Sequence, residues 1–352
     1  MKGSAFKNIE GFEHSNKFTN CPSMTYFSGR RFFAINNKYL AILLNDPGKI
    51  NIADSNKPRN LSSGNYQIIE GVDKNILDLE FSPFSSDLLA VSYDDNAVLL
   101  WKLPEGGLKE HMTQEVQIYQ KHTKKVPYVT FNPIASDVVA SAAFSGELHV
   151  WNALKGETYV ELKADDAPTC LSWNPNGALI GVTCKNKFIN IFDPRANKLI
   201  LKHQINEAFQ SSKFAWLDND TFVTTGWNKA GAKQLRLWDI RKVKEDLTCK
   251  GEVTGVQIDT QKTVTMPYVD RESKLLYTVG KGEASVRVFD YFDGTFRKGI
   301  DFASAEPSIC SVLFDRKCLD YNRCEVDRFA RYVNRQKVYY ISFTIPRRNP
   351  RI

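Results

Sequence analysis

The chain lacks long apolar runs, clustered metal ligands and a regular cysteine framework. No apolar stretch in its 352 residues approaches the length of about eighteen that spans a membrane, and residues 1–18 are too polar for a secretion signal. The five histidines are dispersed, none with a second histidine or a cysteine at metal-binding spacing. The seven cysteines are an odd number scattered through strand-like sequence. These absences predict a cytoplasmic protein with free thiols and no metal site.

Signals for catalysis or cofactor binding are also weak. The segment Gly280-Lys281-Gly282-Glu283 superficially resembles a phosphate-binding loop, but it lacks the full glycine, lysine and hydroxyl spacing and precedes a strand. We interpret it as a hairpin turn. Carboxylates gathered from distant parts of the chain would leave no local motif, so a hydrolase is an alternative. The sequence otherwise predicts no enzyme, no cofactor and no catalytic residue.

What the chain does contain is a repeated strand. A segment of alternating apolar residues that ends in an aromatic side chain recurs five times, at residues 98–102, 148–152, 189–193, 235–239 and 286–290. The aromatic positions lie 41 to 51 residues apart, close to the period of four-stranded blades in WD-repeat propellers. Such a blade has two apolar faces and must stack on a neighbour, so the blades close into a ring.

Two further segments, one near each end of the chain, extend this pattern. A weaker copy at residues 49–54 has alanine in the aromatic position, and residues 338–345 alternate strongly enough to form a closing strand. The sequence therefore predicts an all-β fold, a seven-bladed WD-repeat β-propeller over residues 1–345, with the last blade shared by both termini. In the clearest blade, strands are predicted at residues 126–131, 137–143, 148–152 and 158–162.

The hydrogen-bond network that links a histidine, a hydroxyl, a tryptophan and a turn aspartate in many WD repeats is incomplete here. His122, Ser141 and Trp151 are present, but Ser145 occupies the position where the aspartate is usual. We therefore expect packing to contribute more to blade stability than these hydrogen bonds.

Positive charge is concentrated at the C-terminal end. The net charge is +7, and the segment from residue 316 to the end contains ten lysines or arginines and three acids, so everything before it is neutral in sum. A basic segment on a neutral ring suggests an acidic filament, an anionic membrane or nucleic acid as partner, and a merely solvated tail is the alternative. Nucleic acid is disfavoured because no binding motif is present.

Several segments between the repeated strands resemble the coronin family. They run from about residue 34 to residue 348 in the family's order and spacing, and they occupy residues 101–108, 121–126, 177–180, 193–195, 223–227, 279–289, 323–329 and 344–348. Any one of them is a weak signal, but together they are specific.

The resemblance implies a cytoplasmic protein of the actin cytoskeleton or cell cortex that binds actin filaments and helps to organise, bundle or crosslink them. It also implies that residues 346–352 begin a C-terminal extension packed on the ring. Coronins continue into a coiled coil, through which alone self-association is expected, and this chain has no heptads. We expect it to be the propeller portion of a longer protein, and an unusually short relative is the alternative. The alternative function is a general WD-repeat scaffold that binds a peptide or an anionic phosphoinositide lipid.

Candidates for the filament contact are charged residues expected at turns and ends. Arg347 and Arg348 come first because Pro346 would end the last strand before them. Coronins carry arginines in a basic segment before the first full blade, and the comparable residues 20–33 align poorly. The further candidates are Lys281, Glu283, Arg30, Arg31, Lys124 and Lys125. For the two lysines a solvated rim is an equal alternative.

Overall fold

The computed structural model describes residues 8–22, 31–62, 66–205, 207, 211–242, 252–259, 263–292, 294–333 and 336–346. In this part of the chain the structure is built from β-strands and three single-turn 3-10 helices (Ile240–Lys242, Arg316–Cys318 and Tyr321–Arg323). None of the described helices has the length and apolar character needed to cross a membrane.

Strand β1 (Glu10–Phe18) begins the described chain, and the next twenty strands form five antiparallel sheets of four, paired in chain order. The first sheet contains β2 (Phe33–Ile35), β3 (Tyr39–Leu43), β4 (Lys49–Asp54) and β5 (Ile68–Glu70). The second contains β6 (Ile76–Phe81), β7 (Leu88–Tyr93), β8 (Val98–Lys102) and β9 (Gln117–Tyr119). The third contains β10 (Tyr128–Phe131), β11 (Val138–Ala142), β12 (Glu147–Asn152) and β13 (Thr158–Lys163).

The fourth and fifth sheets repeat this arrangement. The fourth contains β14 (Pro168–Trp173), β15 (Ile180–Cys184), β16 (Phe188–Asp193) and β17 (Lys198–Gln204). The fifth contains β18 (Lys213–Trp216), β19 (Thr221–Trp227), β20 (Lys233–Asp239) and β21 (Glu252–Asp259). The strands predicted for the clearest blade match the third sheet to within two residues at each end.

A sixth sheet has eight strands and joins the two ends of the chain. Its members are β22 (Thr265–Asp270), β23 (Leu275–Gly280), β24 (Glu283–Phe292), β25 (Thr295–Lys298), β26 (Phe302–Leu313), β27 (Glu325–Val333), β28 (Lys337–Thr344) and β1. The sheet is continuous because β24 pairs with β25 near one end and with β26 near the other. The prediction of seven blades and the boundary at residue 345 stay predictions.

The sheets pack face to face in a closed circle. Leu100 of the second sheet packs with Val139 and Trp151 of the third, and similar apolar clusters join each later sheet to the next. The circle closes because Leu40 of the first sheet shares a buried cluster with Tyr340 of the eight-stranded sheet. This closed ring of antiparallel sheets confirms the predicted β-propeller, with its core in the seams between sheets.

Closure also depends on the N-terminal strand. β1 pairs antiparallel with β28, from Glu10 opposite Thr344 to Phe18 opposite Val338. Phe18 is fully buried and its ring lies 6.3 Å from that of Tyr340. The pairing hydrogen-bonds β1 to a strand from the other end of the chain, so β1 covers an edge that would otherwise be open.

Candidate binding surface and channel

The two faces of the ring carry different connections. Because consecutive strands are antiparallel, the turns between second and third strands lie on one face together with the connections from sheet to sheet. We call this the front face, and it includes residues 120–127, 143–146 and 281–282. The back face carries the turns between first and second strands, such as residues 36–38 and 82–87. The candidates Lys124, Lys125 and Lys281 therefore belong to the front face.

Lys124 and Lys125 lie on the surface of the front face. Both are exposed, and the side chain of Lys125 is 57 % exposed even though its Nζ lies 3.4 Å from Asp94 Oδ2. The backbone carbonyl of Lys125 accepts a hydrogen bond of 2.9 Å from the amide of Phe144. This contact fixes the two lysines beside the β11–β12 turn.

Two further lysines surround the same turn. Lys163 Nζ donates to the Ser145 carbonyl at 2.8 Å, and Lys185 Nζ lies 5.6 Å from the centre of the Phe144 ring. Both lysines are exposed. With Lys124 and Lys125 they form what we call the front lysine cluster. Its four side chains come from three separate segments of the chain and lie on one surface.

The second predicted front-face pair, Lys281 and Glu283, is not displayed at the tip of its turn. Glu283 is buried, accepts hydrogen bonds from Lys233 at 2.9 Å and from Thr263 at 2.6 Å, and also contacts Arg287. Burial alone would raise the pKa of Glu283, but these donors outweigh it and hold the pKa below its usual value. Lys281 is half-buried, and burial lowers its pKa. The carboxylate of Glu283 thus serves a buried ion cluster.

The ring has a central channel lined by the first strand of each sheet, since β2, β6, β10, β14, β18 and β22 contact one another in that order. Arg31 lies inside this channel. Its Nε and Nη2 donate to the two oxygens of Asp78 at 2.9 and 2.8 Å, and Nη2 also donates to the Val129 carbonyl at 2.6 Å. Its Nη1 lies 3.0 Å from Glu80 Oε2. Every guanidinium nitrogen of Arg31 is therefore engaged with β6 or β10.

Arg31 also lines two cavities in the channel. One, of about 740 Å³, opens among back-face turns, and a small one of about 60 Å³ lies beside Lys281. The two channel carboxylates near it, Asp78 and Glu80, are both paired with its guanidinium. Because the same guanidinium also donates to the Val129 carbonyl of β10, Arg31 clamps the second sheet to the third.

The basic C-terminal segment is less available than its charge suggests. Arg331 is fully buried and donates to the Glu283 carbonyl at 3.1 Å. Four more of its basic side chains form ion pairs with acids at 2.6 to 3.4 Å: Arg316 with Asp270, Arg323 with Asp320, Arg328 with Glu325, and Lys337 with Glu306. The candidates Arg347 and Arg348, like Arg30, lie outside the described residues. Much of the positive charge in residues 316–346 is thus already engaged by groups of the chain itself.

The WD-type network of the third sheet links the histidine, the hydroxyl and the tryptophan that the sequence indicated. His122 Nε2 and Ser141 Oγ lie 2.6 Å apart, and Trp151 Nε1 donates to Ser141 Oγ at 3.3 Å. Glu147 Oε2 lies 3.8 Å from His122 Nδ1, too far for a hydrogen bond. Among the described residues His122 Nδ1 has no hydrogen-bond partner, so the network lacks a hydrogen-bonded acid at this position.

A second histidine joins this network. The ring of His149 stacks on that of His122, with centroids 4.1 Å apart and planes 6° from parallel. Burial, and the neighbouring His149, lower the pKa of His122 to about 3, and burial lowers that of His149. Burial opposes ionisation of Glu147, but hydrogen bonds from Thr123 and Ser145 lower its pKa to about 2. The two imidazoles are thus neutral beside an ionised carboxylate.

Sequence spacing could not reveal this cluster, because 25 residues separate His122 from Glu147. One local signal was present. Glu147 and His149 alternate along β12, so their side chains lie on the same face of the strand. The ligand atoms of His122, Glu147 and His149 all lie within 4.8 Å of one another, which departs from the expectation of dispersed histidines.

The closed ring of antiparallel sheets, five of them four-stranded, and the linked His122, Ser141 and Trp151 define a WD-repeat β-propeller. No family model matches the chain. Among curated proteins, the coronin-like protein crn1 of Schizosaccharomyces pombe is 29% identical over 278 residues, which cover 78% of this chain and 45% of that protein. The coronin-like protein of Saccharomyces cerevisiae is 25% identical and covers 80% of this chain and 44% of its own length.

A solved structure gives the same answer. The WD40 domain of Toxoplasma gondii coronin has a TM-score of 0.90 and 26% identity to this chain, covering 97% of it and 88% of that domain. The resemblance to coronins is confirmed: the chain is similar to coronins in sequence and to a coronin WD40 domain in fold. It spans less than half the length of the two yeast relatives.

Proposed function

We propose that this chain is the actin-filament-binding propeller of a coronin-type protein and that the front lysine cluster forms part of its contact with the filament. The observation that carries the proposal is the convergence of four exposed lysines on the β11–β12 turn, in a ring of the coronin type. Actin filaments are acidic polymers, so a cationic surface gains long-range attraction to them. The activity is adhesive, and it needs no catalytic residue.

The candidates differ in how well the structure supports them. Lys124 and Lys125 are exposed and can meet a partner without unfolding. Arg31 and Glu283 are engaged inside the molecule, so we rank them below the lysines. Arg347 and Arg348 stay predictions, and a double reversal to glutamate should lower filament binding without unfolding the ring.

A single ring should bind weakly. An exposed ion pair contributes about 0 to 1 kcal/mol and is screened by salt, so affinity requires several contacts together. Bundling or crosslinking requires two linked rings, which a coiled coil in a longer protein would supply through effective concentration. Because we propose that the protein binds actin filaments, we also place it in the cytoplasm, at the actin cytoskeleton or cell cortex.

The test is cosedimentation of the folded chain with actin filaments, compared among matched charge variants. Lys124→Glu/Lys125→Glu should weaken binding by up to about 30-fold, since two contacts of about 1 kcal/mol each are removed. Lys38→Glu/Lys57→Glu changes the net charge equally at exposed back-face positions and should bind like wild type. Equal losses in the two variants would show that net charge alone matters and would remove the front face from the site.

Anionic lipid is the competing partner, and the same variants distinguish it. Vesicles of phosphatidylcholine with a phosphoinositide should retain the chain less well than filaments do. Retention on these vesicles together with failure to pellet with filaments would replace the actin proposal by the lipid-binding scaffold.

A further inference from the structure

We propose that His122, Glu147 and His149 form a binding site for a divalent transition-metal ion, with zinc as the ion to test first. Their ligand atoms lie within 4.8 Å of one another on the front face of the third sheet. Two imidazole nitrogens and one carboxylate oxygen are a donor set that zinc uses in proteins, with water completing the coordination. This proposal does not depend on filament binding.

Both histidines are nearly fully buried, with 5 % of His122 and 4 % of His149 exposed. Among the described residues, neither Nδ1 atom has a hydrogen-bond partner. The nearest carboxylate oxygen to His122 Nδ1, from Glu147, is 3.8 Å away and too distant for a hydrogen bond. A buried ring nitrogen without a partner is destabilising, and a bound ion would satisfy both nitrogens at once.

Two of the three ligands are already held in place. His122 Nε2 lies 2.6 Å from Ser141 Oγ, which directs Nδ1 away from Ser141 and towards Glu147. Glu147 accepts hydrogen bonds from the amide and the hydroxyl of Thr123, at 3.0 and 2.7 Å. Metal-binding side chains in proteins have outer partners of this kind, which fix ring orientation and carboxylate position.

The third ligand, His149, must turn for the ion to bind. The two rings are stacked and parallel, and an ion cannot lie in the planes of both. Ser141 holds His122, whereas His149 lines an adjacent pocket of about 310 Å³ with Glu147 and Glu161. Binding therefore requires rotation of the His149 ring, and the adjacent pocket offers space for that rotation. The WD-type network accounts for His122 but gives no role to the buried His149.

The nearby cations do not block the site. Lys121 contacts Glu161, and Lys163 Nζ donates to the Ser145 carbonyl at 2.8 Å. Glu147 and Glu161 therefore balance the two lysines that line the same pocket.

The test is calorimetric zinc titration of the full chain without an affinity tag, together with thermal unfolding in zinc or magnesium. Wild type should bind one ion and melt at a higher temperature in zinc but not in magnesium, because a ligand that binds only the folded state stabilises it. His149→Ala should lose at least about 100-fold in affinity while keeping His122, Ser141 and Trp151, because loss of an outer partner alone costs about 10- to 100-fold and His149 is a ligand. His111→Ala, at an exposed back-face histidine, should behave as wild type.

The outcomes are distinguishable even if one variant folds poorly. His149→Gln retains the size of the side chain and should also lose zinc binding. With cobalt in place of zinc, wild type should show visible absorption from a cobalt complex and the His149 variants should not. Equal zinc affinity in wild type and a folded His149 variant, or no binding by wild type, would overturn the proposal.

Discussion

Removal of the Arg31 guanidinium tests whether this residue clamps the channel. In Arg31→Met, the carboxylate of Asp78 would lose two hydrogen bonds of 2.8 and 2.9 Å and Glu80 would lose its pair at 3.0 Å. The side chain of Asp78 is only 1 % exposed, so its charge would stay buried without a cation, with only the amide of Val129 still donating to it at 3.0 Å. Loss of one partner of a buried ion pair costs about 3 to 5 kcal/mol. Because Arg31 itself is 33 % exposed, we expect the lower end, about 3 kcal/mol.

Equilibrium unfolding in urea measures this loss. Lys38→Met is the matched control, because it removes an exposed pair with Asp87 at 3.5 Å and should cost at most about 1 kcal/mol. Arg31→Met/Asp78→Asn should be more stable than Arg31→Met, since the unpaired buried charge of Asp78 is gone. A free energy of unfolding for Arg31→Met within about 1 kcal/mol of wild type would refute the clamp.

Two further predictions concern pH and closure of the ring. Burial, and then the nearby charge of Asp270, raise the pKa of Asp327 to about 8, so the folded state keeps a proton that the unfolded state loses above about pH 4. The free energy of unfolding should therefore fall by up to about 1.4 kcal/mol per pH unit between about pH 4 and 8. Urea unfolding of Asp327→Asn, measured over the same pH range, should lack this slope. Phe18→Ala should lower the free energy of unfolding in urea by about 3 to 5 kcal/mol, because it leaves a cavity at a buried site between β1 and Tyr340. Phe12→Ala, at a 39 % exposed position on the same strand, should lower it much less. Equal effects of the two substitutions would contradict the role of Phe18.

The strands and the ring could be predicted from the sequence because their signals are local. Alternation at residues 148–152 predicts β12 to within one residue, and residues 338–345 predict β28 equally well. Each of these strands shows its apolar pattern without reference to the rest of the chain. Because each sheet must bury both of its apolar faces against neighbouring sheets, the sheets close into a ring.

The roles of charged residues could not be predicted in this way, because their partners come from other sheets. Arg31 is engaged by Asp78, 47 residues away, and by the Val129 carbonyl, 98 residues away. Glu283 accepts a hydrogen bond from Lys233, 50 residues earlier in the chain. Part of the positive charge from residue 316 onwards is likewise engaged in ion pairs with residues distant in the sequence, for example Arg316 with Asp270. Sequence shows the charge but not whether it faces solvent.

The most direct test of the proposed function is a salt titration of filament cosedimentation with the folded chain. If exposed lysines attract an acidic filament, the chain should pellet with filaments at about 50 mM salt and progressively less towards about 200 mM, where charges are screened over a shorter distance. Lys124→Glu/Lys125→Glu should flatten this dependence, while Lys38→Glu/Lys57→Glu should preserve it. A folded chain that stays in solution at the lowest salt, or that pellets equally at every salt concentration, would contradict the proposed mechanism.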